Sequence, residues 1–343
     1  MQTHRIISTA ALLLAVLTTP LVVQAADLLP TIQARGQLRC GVSEGIPGFS
    51  RRGVGGRWTG LDADFCRAVA AAVLGDGERV EFVPLRSSTR FPALQARRVD
   101  LLARNTTWTL TREAVLGVQF PAVLFYDGQG FLVADSKGID SPLQLDGAIV
   151  CVEKGTTHVA NLQRYAHRQG ITLTPLVLDS APEVAVAFFA GRCAAYSSDS
   201  GQLAAARLQA PGGPEGYRLL PERISKEPLA PVVWGGDARW ASVVRWVLYA
   251  LILAEEDGIT QTNVEAKVAA REGLIGWISM DEYELVAQAM GLTRGWGVRA
   301  IKAVGNYGEV FDRNLGAGSP LRIERGLNRL WTQGGLMYAP PVD

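Results

Sequence analysis

Val99-Asp100-Leu101-Leu102-Ala103-Arg104-Asn105-Thr106-Thr107-Trp108-Thr109-Leu110-Thr111-Arg112 decides the reading of this chain. Val99 to Ala103 is an apolar, strand-like run. It gives way at once to hydroxyls, an amide, an indole and a guanidinium. Packing alone does not end a core strand in that company. The pattern is that of a strand whose C-terminal end delivers polar groups to a cleft, which is where ligands bind in open α/β sheets. Thr111 is read as the N-cap of the next helix. Arg112, just behind it, can grip a carboxylate through two parallel hydrogen bonds. The density of donors here, with Trp108 among them, marks a candidate site.

Upstream, the elements alternate. Leu38 to Val42 is a short strand ending in the Gly- and Pro-punctuated loop Ser43 to Phe49. A helix starts at Leu61, with Asp62 as its N-cap, and carries Leu61, Phe65, Ala68, Val69 and Ala72 on one face. Val80 to Leu85 is a strand and Arg90 to Arg98 a short helix. This order implies a parallel sheet. Phe125 to Val133 reads as one strand containing two glycines, which mark a bend, and is taken as the crossing to a second domain. There the pattern repeats. Strands at Ala148–Val152, Leu173–Leu178 and Cys193–Tyr196 alternate with helices opened by Gly155-Thr156-Thr157 and by Ser180-x-x-Glu183. Ile224 to Trp234 reads as the return crossing, followed by apolar helices at Trp240–Glu255 and around Met280 to Met290 and a tail rich in Gly, Tyr and Trp.

The 343 residues are 48% hydrophobic and 20% charged, enough for two packed cores. The net charge of +1 gives no argument for nucleic acid or an anionic membrane. The N-terminus has the form of a secretory signal over residues 1–25: a basic start at His4 and Arg5, an apolar run from Ile6 to Val23, and the small-residue pattern Val23-Gln24-Ala25. Trp240 to Ala254 is interrupted by Arg245 and is shorter than the ~20 apolar residues a membrane span needs. An exported chain can keep disulfides. Cys40, Cys66, Cys151 and Cys193 permit three pairings. Cys40–Cys66 and Cys151–Cys193 are nearest in sequence, and each lies inside one domain. With no Cys-x-x-Cys spacing, no metal or cofactor is expected.

Two further stretches carry chemistry. Gly155-Thr156-Thr157 sets a glycine and two hydroxyls at a helix start, where free N–H groups and a positive dipole end suit an anion; a plain cap by Thr156 is compatible with this. Asp199 ends a strand between serines and can receive an ammonium group or cap the following helix. Arg112 and Thr156 for a carboxylate, with Asp199 for an amine, make the pair of charges an α-amino acid zwitterion requires, since either charge buried unpaired is costly. His-Glu-x-x-His, Gly-x-Ser-x-Gly and Gly-x-Gly-x-x-Gly are all absent.

Gly60-Leu61-Asp62-x-Asp64, Thr107-x-Thr109-x-x-Arg112, Gly155-Thr156 and Asp199 together resemble the family 3 solute-binding proteins of ABC importers. Arg104 to Arg112, Asp127 to Val133, Ser225-Lys226-Glu227-Pro228-Leu229, Gly305 to Phe311 and Tyr338-Ala339-Pro340-Pro341 resemble its periplasmic general L-amino acid-binding subgroup. The resemblance implies a two-lobed periplasmic-binding-protein type II α/β fold. Each lobe is a parallel-dominated sheet flanked by helices, and two crossing strands join them. The first lobe takes residues 26–127, the second 128–227, and 228–343 return to the first lobe and add a helical extension. It implies roles as well: Arg112 for the ligand carboxylate with Thr107 and Thr157 as donors, Asp199 for the amino group, and the main chain of Asn105. Ser43 or Glu44 would be a contact from the first lobe. His158 departs from the family, standing where a small polar residue is common. The expected function is capture of L-amino acids in the periplasm by a monomer that delivers them to ABC permease subunits, without catalysis. The alternative is a cyclohexadienyl or arogenate dehydratase-like enzyme on the same scaffold, with Glu44 or Glu153 as general acid.

Overall fold

The computed structural model describes residues 27–273 and 283–342. The signal-peptide reading of residues 1–25 lies outside them, as does the start of the helix expected around Met280; Glu284–Ala289 of that helix is described.

The first lobe is built on a three-stranded parallel sheet with Leu38–Val42 at its centre, flanked by Val80–Pro84 and Leu101–Leu102. Leu38, Cys40 and Val42, on one face of the central strand, are fully buried. The helix Leu61–Leu74 is buried along nearly all its length. It is enclosed by the helices Trp296–Val304 and Ala238–Glu256, which explains why it is apolar almost all round. Cys40 is disulfide-bonded to Cys66, tying the central strand to this helix.

The helix differs from the sequence reading at its start. Its N-cap is Gly60, not Asp62; a Cβ at residue 60 would lie 2.1 Å from the Phe49 carbonyl oxygen. The chain turns too tightly there for a side-chain cap, and Asp62 is carried into the first turn and buried. At Arg112 the cap moves too: the helix is Leu110–Leu116, and Thr109 Oγ1, not Thr111, accepts from the Arg112 N–H at 3.2 Å.

The second lobe has a five-stranded mixed sheet in the order Thr174–Leu178, Ile149–Glu153, Ala195–Asp199, Gln129–Ala134, Tyr217–Leu219. The first three are parallel, and the last two run antiparallel to their neighbours. Cys151 and Cys193 are disulfide-bonded within this lobe. In the chain-entropy picture, loops of 26 and 42 residues make each bridge worth about 3–4 kcal/mol.

Two strands join the lobes. Phe125–Asp127 pairs antiparallel with Glu227–Leu229. The run expected as one strand is broken at Gly128, where a Cβ would meet the Ser225 carbonyl at 2.9 Å, and resumes as Gln129–Ala134. The C-terminal extension buttresses this crossing. Asn328 accepts from the Tyr126 N–H at 2.7 Å and donates to its carbonyl at 3.0 Å. Tyr307 donates to the Leu124 carbonyl at 2.9 Å. Arg325 pairs with Glu255 and lies over the rings of Tyr307 and Phe311. No helix among the described residues is long and apolar enough to cross a membrane.

Candidate functional site

The strand ends of both lobes deliver charged groups to the gap beside the crossing strands. From the first lobe come three arginines. Arg112 donates to its own lobe's Thr107 carbonyl at 2.7 Å and lies 5.4 Å over the Phe91 ring. Arg90 lies 5.1 Å over the same ring and donates to the Gly155 carbonyl of the second lobe at 3.3 Å. Arg104 is held by the Leu85 carbonyl and Ser87 Oγ, at 2.7 and 2.8 Å, and meets Glu153 of the second lobe at 3.7 Å. Burial lowers the proton affinity of all three guanidiniums; for Arg90 the neighbouring Arg112 and Arg104 add to it. The surrounding carboxylates act against this: Asp199 on all three, Glu153 on Arg90 and Arg104, Glu227 on Arg112.

The carboxylates come from the second lobe and the return strand. Asp199 ends the strand Ala195–Asp199 but does not cap the helix Ser200–Leu208 that follows. That work falls to Asp127, which accepts from Ser200 and Gly201 N–H at 3.2 and 2.9 Å. Asp199 is thereby left free of capping, and His158 Nε2 lies 3.0 Å from its Oδ1. Asp127 is pushed up to about 6 by burial and then by the Asp199 charge. Glu227 is the hub. Only 1% exposed, it accepts from Thr107 Oγ1 (2.5 Å), Thr157 Oγ1 (2.9 Å), Asn161 Nδ2 (2.6 Å) and Ser225 Oγ (2.6 Å). Those donors belong to the first lobe, the second lobe and the return crossing.

Thr107 and Thr157 therefore meet at one carboxylate. Thr156 Oγ1 donates to the Glu153 carbonyl and accepts from the His158 N–H, closing the helix start. Asn105 is buried with φ +41°, and neither atom of its side-chain amide has a partner. Of the two residues at the first strand's end, Ser43 is buried against Ser50, whereas Glu44 stands at the rim 3.7 Å from Arg86. Trp108 does not join the group. It is 38% exposed, stacks on Phe120 at 5.9 Å and donates to Glu113.

The residues that sequence reasoning missed are Arg90, Glu227 and Asp127. Arg90 read only as the first residue of a short helix; in the fold it is buried over Phe91 and bonded to the second lobe's Gly155 carbonyl. Glu227 carried a signal, since Ser225-Lys226-Glu227-Pro228-Leu229 marked the subgroup, but nothing local showed that four donors converge on it.

The lobes close on two glycines. A Cβ on Gly155 would lie 2.8 Å from the Ser88 backbone, and one on Gly201 would lie 2.6 Å from the Phe49 ring. Phe49 is buried edge-on against Phe125 and has no room to retreat. Gly201→Ala is therefore expected to hold the lobes apart and speed ligand dissociation by about tenfold, or ~1.4 kcal/mol. Stopped-flow release rates equal to those of the parent protein would contradict this contact.

Asp62 lies beneath Arg104 and Asn105. Burial raises it to about 7, against the opposing pull of Arg104 and the Asn105 N–H, and its Oδ2 has no partner. A carboxyl raised on folding binds more protons in the native than in the unfolded state. Stability then falls as pH rises from about 4, the unfolded value, to about 7. Asp62→Asn is expected to raise the Tm at pH 8, by about 2–4 °C per kcal/mol relieved, and to change it little at pH 4. An equal effect at both pH values would contradict the sign.

Residues 38–288 match the bacterial extracellular solute-binding proteins, family 3. The chain belongs to this family. It is similar to the general L-amino acid-binding periplasmic protein AapJ of Rhizobium johnstonii, 45% identical over 97% of this chain and 98% of that one. The glutamate/glutamine/aspartate/asparagine-binding protein BztA of Rhodobacter capsulatus is 46% identical over 92% and 93% of the two chains. Among solved structures, an ABC transporter periplasmic binding protein from Brucella ovis with glutathione bound is 44% identical. It superposes with a TM-score of 0.86 over 93% of this chain and 100% of that one.

Proposed function

We propose that this family 3 solute-binding protein captures free L-amino acids in the periplasm, as a monomer, and presents them to the permease of an ABC importer. The observation that carries the reading is the pairing of opposite charges across one gap. Arg112, from the first lobe, is half-buried and donates to the Thr107 carbonyl; Asp199, from the second, is buried and spared from capping. A carboxylate on Arg112 and an ammonium on Asp199 satisfy both without leaving either buried charge unmatched. Asn105 supplies main-chain groups beside them. The names of the AapJ and BztA relatives support the same class of ligand. Glutathione, bound in the Brucella ovis relative, carries an α-amino acid zwitterion at its γ-glutamyl end.

The relatives named are binding proteins, and we read this chain as non-catalytic too. Glu153 is committed to Arg104, and Glu44 pairs with Arg86 at the rim.

The test is a thermal-shift screen of the twenty proteinogenic L-amino acids and glutathione, with prephenate and arogenate assayed for turnover. Ligands that bind only the folded state raise Tm by mass action. A rise of several degrees with one or more amino acids is expected. No rise with any of them, or turnover of either acid, would overturn the reading.

A further inference from the structure

His158 stands where the mechanism of capture has no evident use for it. It sits at the first position of the helix His158–Gln169, 3% exposed, with Nε2 on Asp199 Oδ1 and Nδ1 buried without a partner. A cation at a helix N-terminus is opposed by the helix dipole. A structural histidine in this position would be expected to have both ring nitrogens satisfied. Its main-chain carbonyl is fixed by Gln129, which is itself bonded to Ser197.

We propose that His158 is a positioning residue that holds Asp199 toward the ligand's amino group and gives up its own proton when that group arrives. The inference rests on the reading of Asp199 as the amine acceptor. Without ligand, the imidazole is the ring hydrogen-bonded to Asp199. Three carboxylates face the ring: Asp199 from the strand before the cleft, Glu227 from the return crossing and Glu153 from the neighbouring strand. The guanidiniums of Arg90, Arg104 and Arg112 face Asp199 from the other lobe, and Asp127 lies behind it. Burial pulls the imidazole toward the neutral form. The Asp199 charge and hydrogen bond, with Glu227 and Glu153, more than reverse this, and the net direction is up.

A ligand ammonium on the second oxygen of Asp199 changes the balance. It brings a permanent positive charge to within a few ångströms of the ring, where two cations share one carboxylate at low dielectric. The ligand keeps all three ammonium protons, and the imidazolium releases one proton to the buffer. The neutral ring goes on donating Nε2–H to Asp199, so the carboxylate keeps its aim. Binding then releases up to one proton per ligand below the pKa of His158 in the empty protein, and none well above it. By linkage the affinity rises with pH, at most tenfold per pH unit, and then levels off. The small polar residue that the family resemblance leads one to expect at this position would bind the same ligand with no such slope.

The experiment is titration calorimetry of the full-length mature chain with L-glutamine, or with another uncharged-side-chain amino acid if the screen ranks one above it. Each pH from 5.5 to 8.5 is measured in two buffers of different ionisation enthalpy. The parent protein is expected to release close to one proton at the acid end and close to none at pH 8.5. His158→Asn is expected to bind with no proton release and a flat pH profile; His167→Gln, on the exposed end of the same helix, keeps the parent behaviour. Ring 15N shifts of His158 with and without ligand give a second readout that needs no variant, and a change from charged to neutral on binding is expected. Binding without proton release at any pH, release undiminished in His158→Asn, or a ring whose charge does not change would overturn the inference and leave the amino-acid reading standing. Failure of every amino acid to bind would remove both.

Discussion

Arg112→Ala is expected to abolish measurable amino-acid capture while leaving the protein folded. The guanidinium has one hydrogen bond to the Thr107 carbonyl and a stacking contact with Phe91, so few structural bonds depend on it. To a ligand carboxylate it offers two charge-assisted hydrogen bonds, each worth about 1.5–3 kcal/mol. Their loss corresponds to a fall in affinity of roughly 10²–10⁴-fold. Asp199→Asn removes the opposite pole. It is expected to cost a similar amount, because an amide nitrogen then faces the ammonium. Calorimetry checks the affinity, and the melting temperature of the ligand-free variants checks the fold. Arg112→Ala with parent affinity would contradict the assignment of the carboxylate subsite.

Glu227→Ala is expected to produce the largest loss of stability of any single change in the cleft. It strips the acceptor from Thr107, Thr157, Asn161 and Ser225 together and removes a countercharge of Arg112. Removing one partner of a buried charged network costs about 3–5 kcal/mol, because the groups left behind are desolvated without a partner. That corresponds to a fall in Tm on the order of 10 °C. Glu227→Gln keeps one acceptor oxygen and is expected to fall between. Since the four donors span both lobes and the crossing, ligand binding should weaken in step. A Glu227→Ala protein melting within about 1 °C of the parent would contradict the hub.

Much of this arrangement was legible in the chain itself. The abrupt change from Val99–Ala103 to the polar run ending at Arg112 marked one pole of the proposed site, because a core strand has no packing reason to end in donors. Asp199 showed itself by the same logic at a second strand end. The apolar run from Trp240, interrupted by Arg245, identified the buried helix Ala238–Glu256, and nearness in sequence suggested both disulfides. What escaped depended on distant contacts. Whether Asp199 caps its helix or faces the cleft is undecidable locally, because the competitor, Asp127, lies 72 residues away. The caps at Asp62 and Thr111 were misplaced by two residues. A glycine against the Phe49 carbonyl and a threonine two positions earlier satisfied the helix starts more closely. Trp108 was read with the site because it is surrounded by site residues in sequence; its indole contacts are with Phe120 and Glu113.

The central claim is that the cleft recognises both ends of a free zwitterion, and the most direct measurement is a calorimetric comparison on the unmodified protein. L-glutamine is titrated beside its α-methyl ester and its N-acetyl derivative, each of which cancels one pole while keeping the side chain. The account predicts that each blocked compound binds at least about 100-fold more weakly than the free amino acid, ~2.7 kcal/mol per pole. Either one binding as tightly as L-glutamine would contradict it.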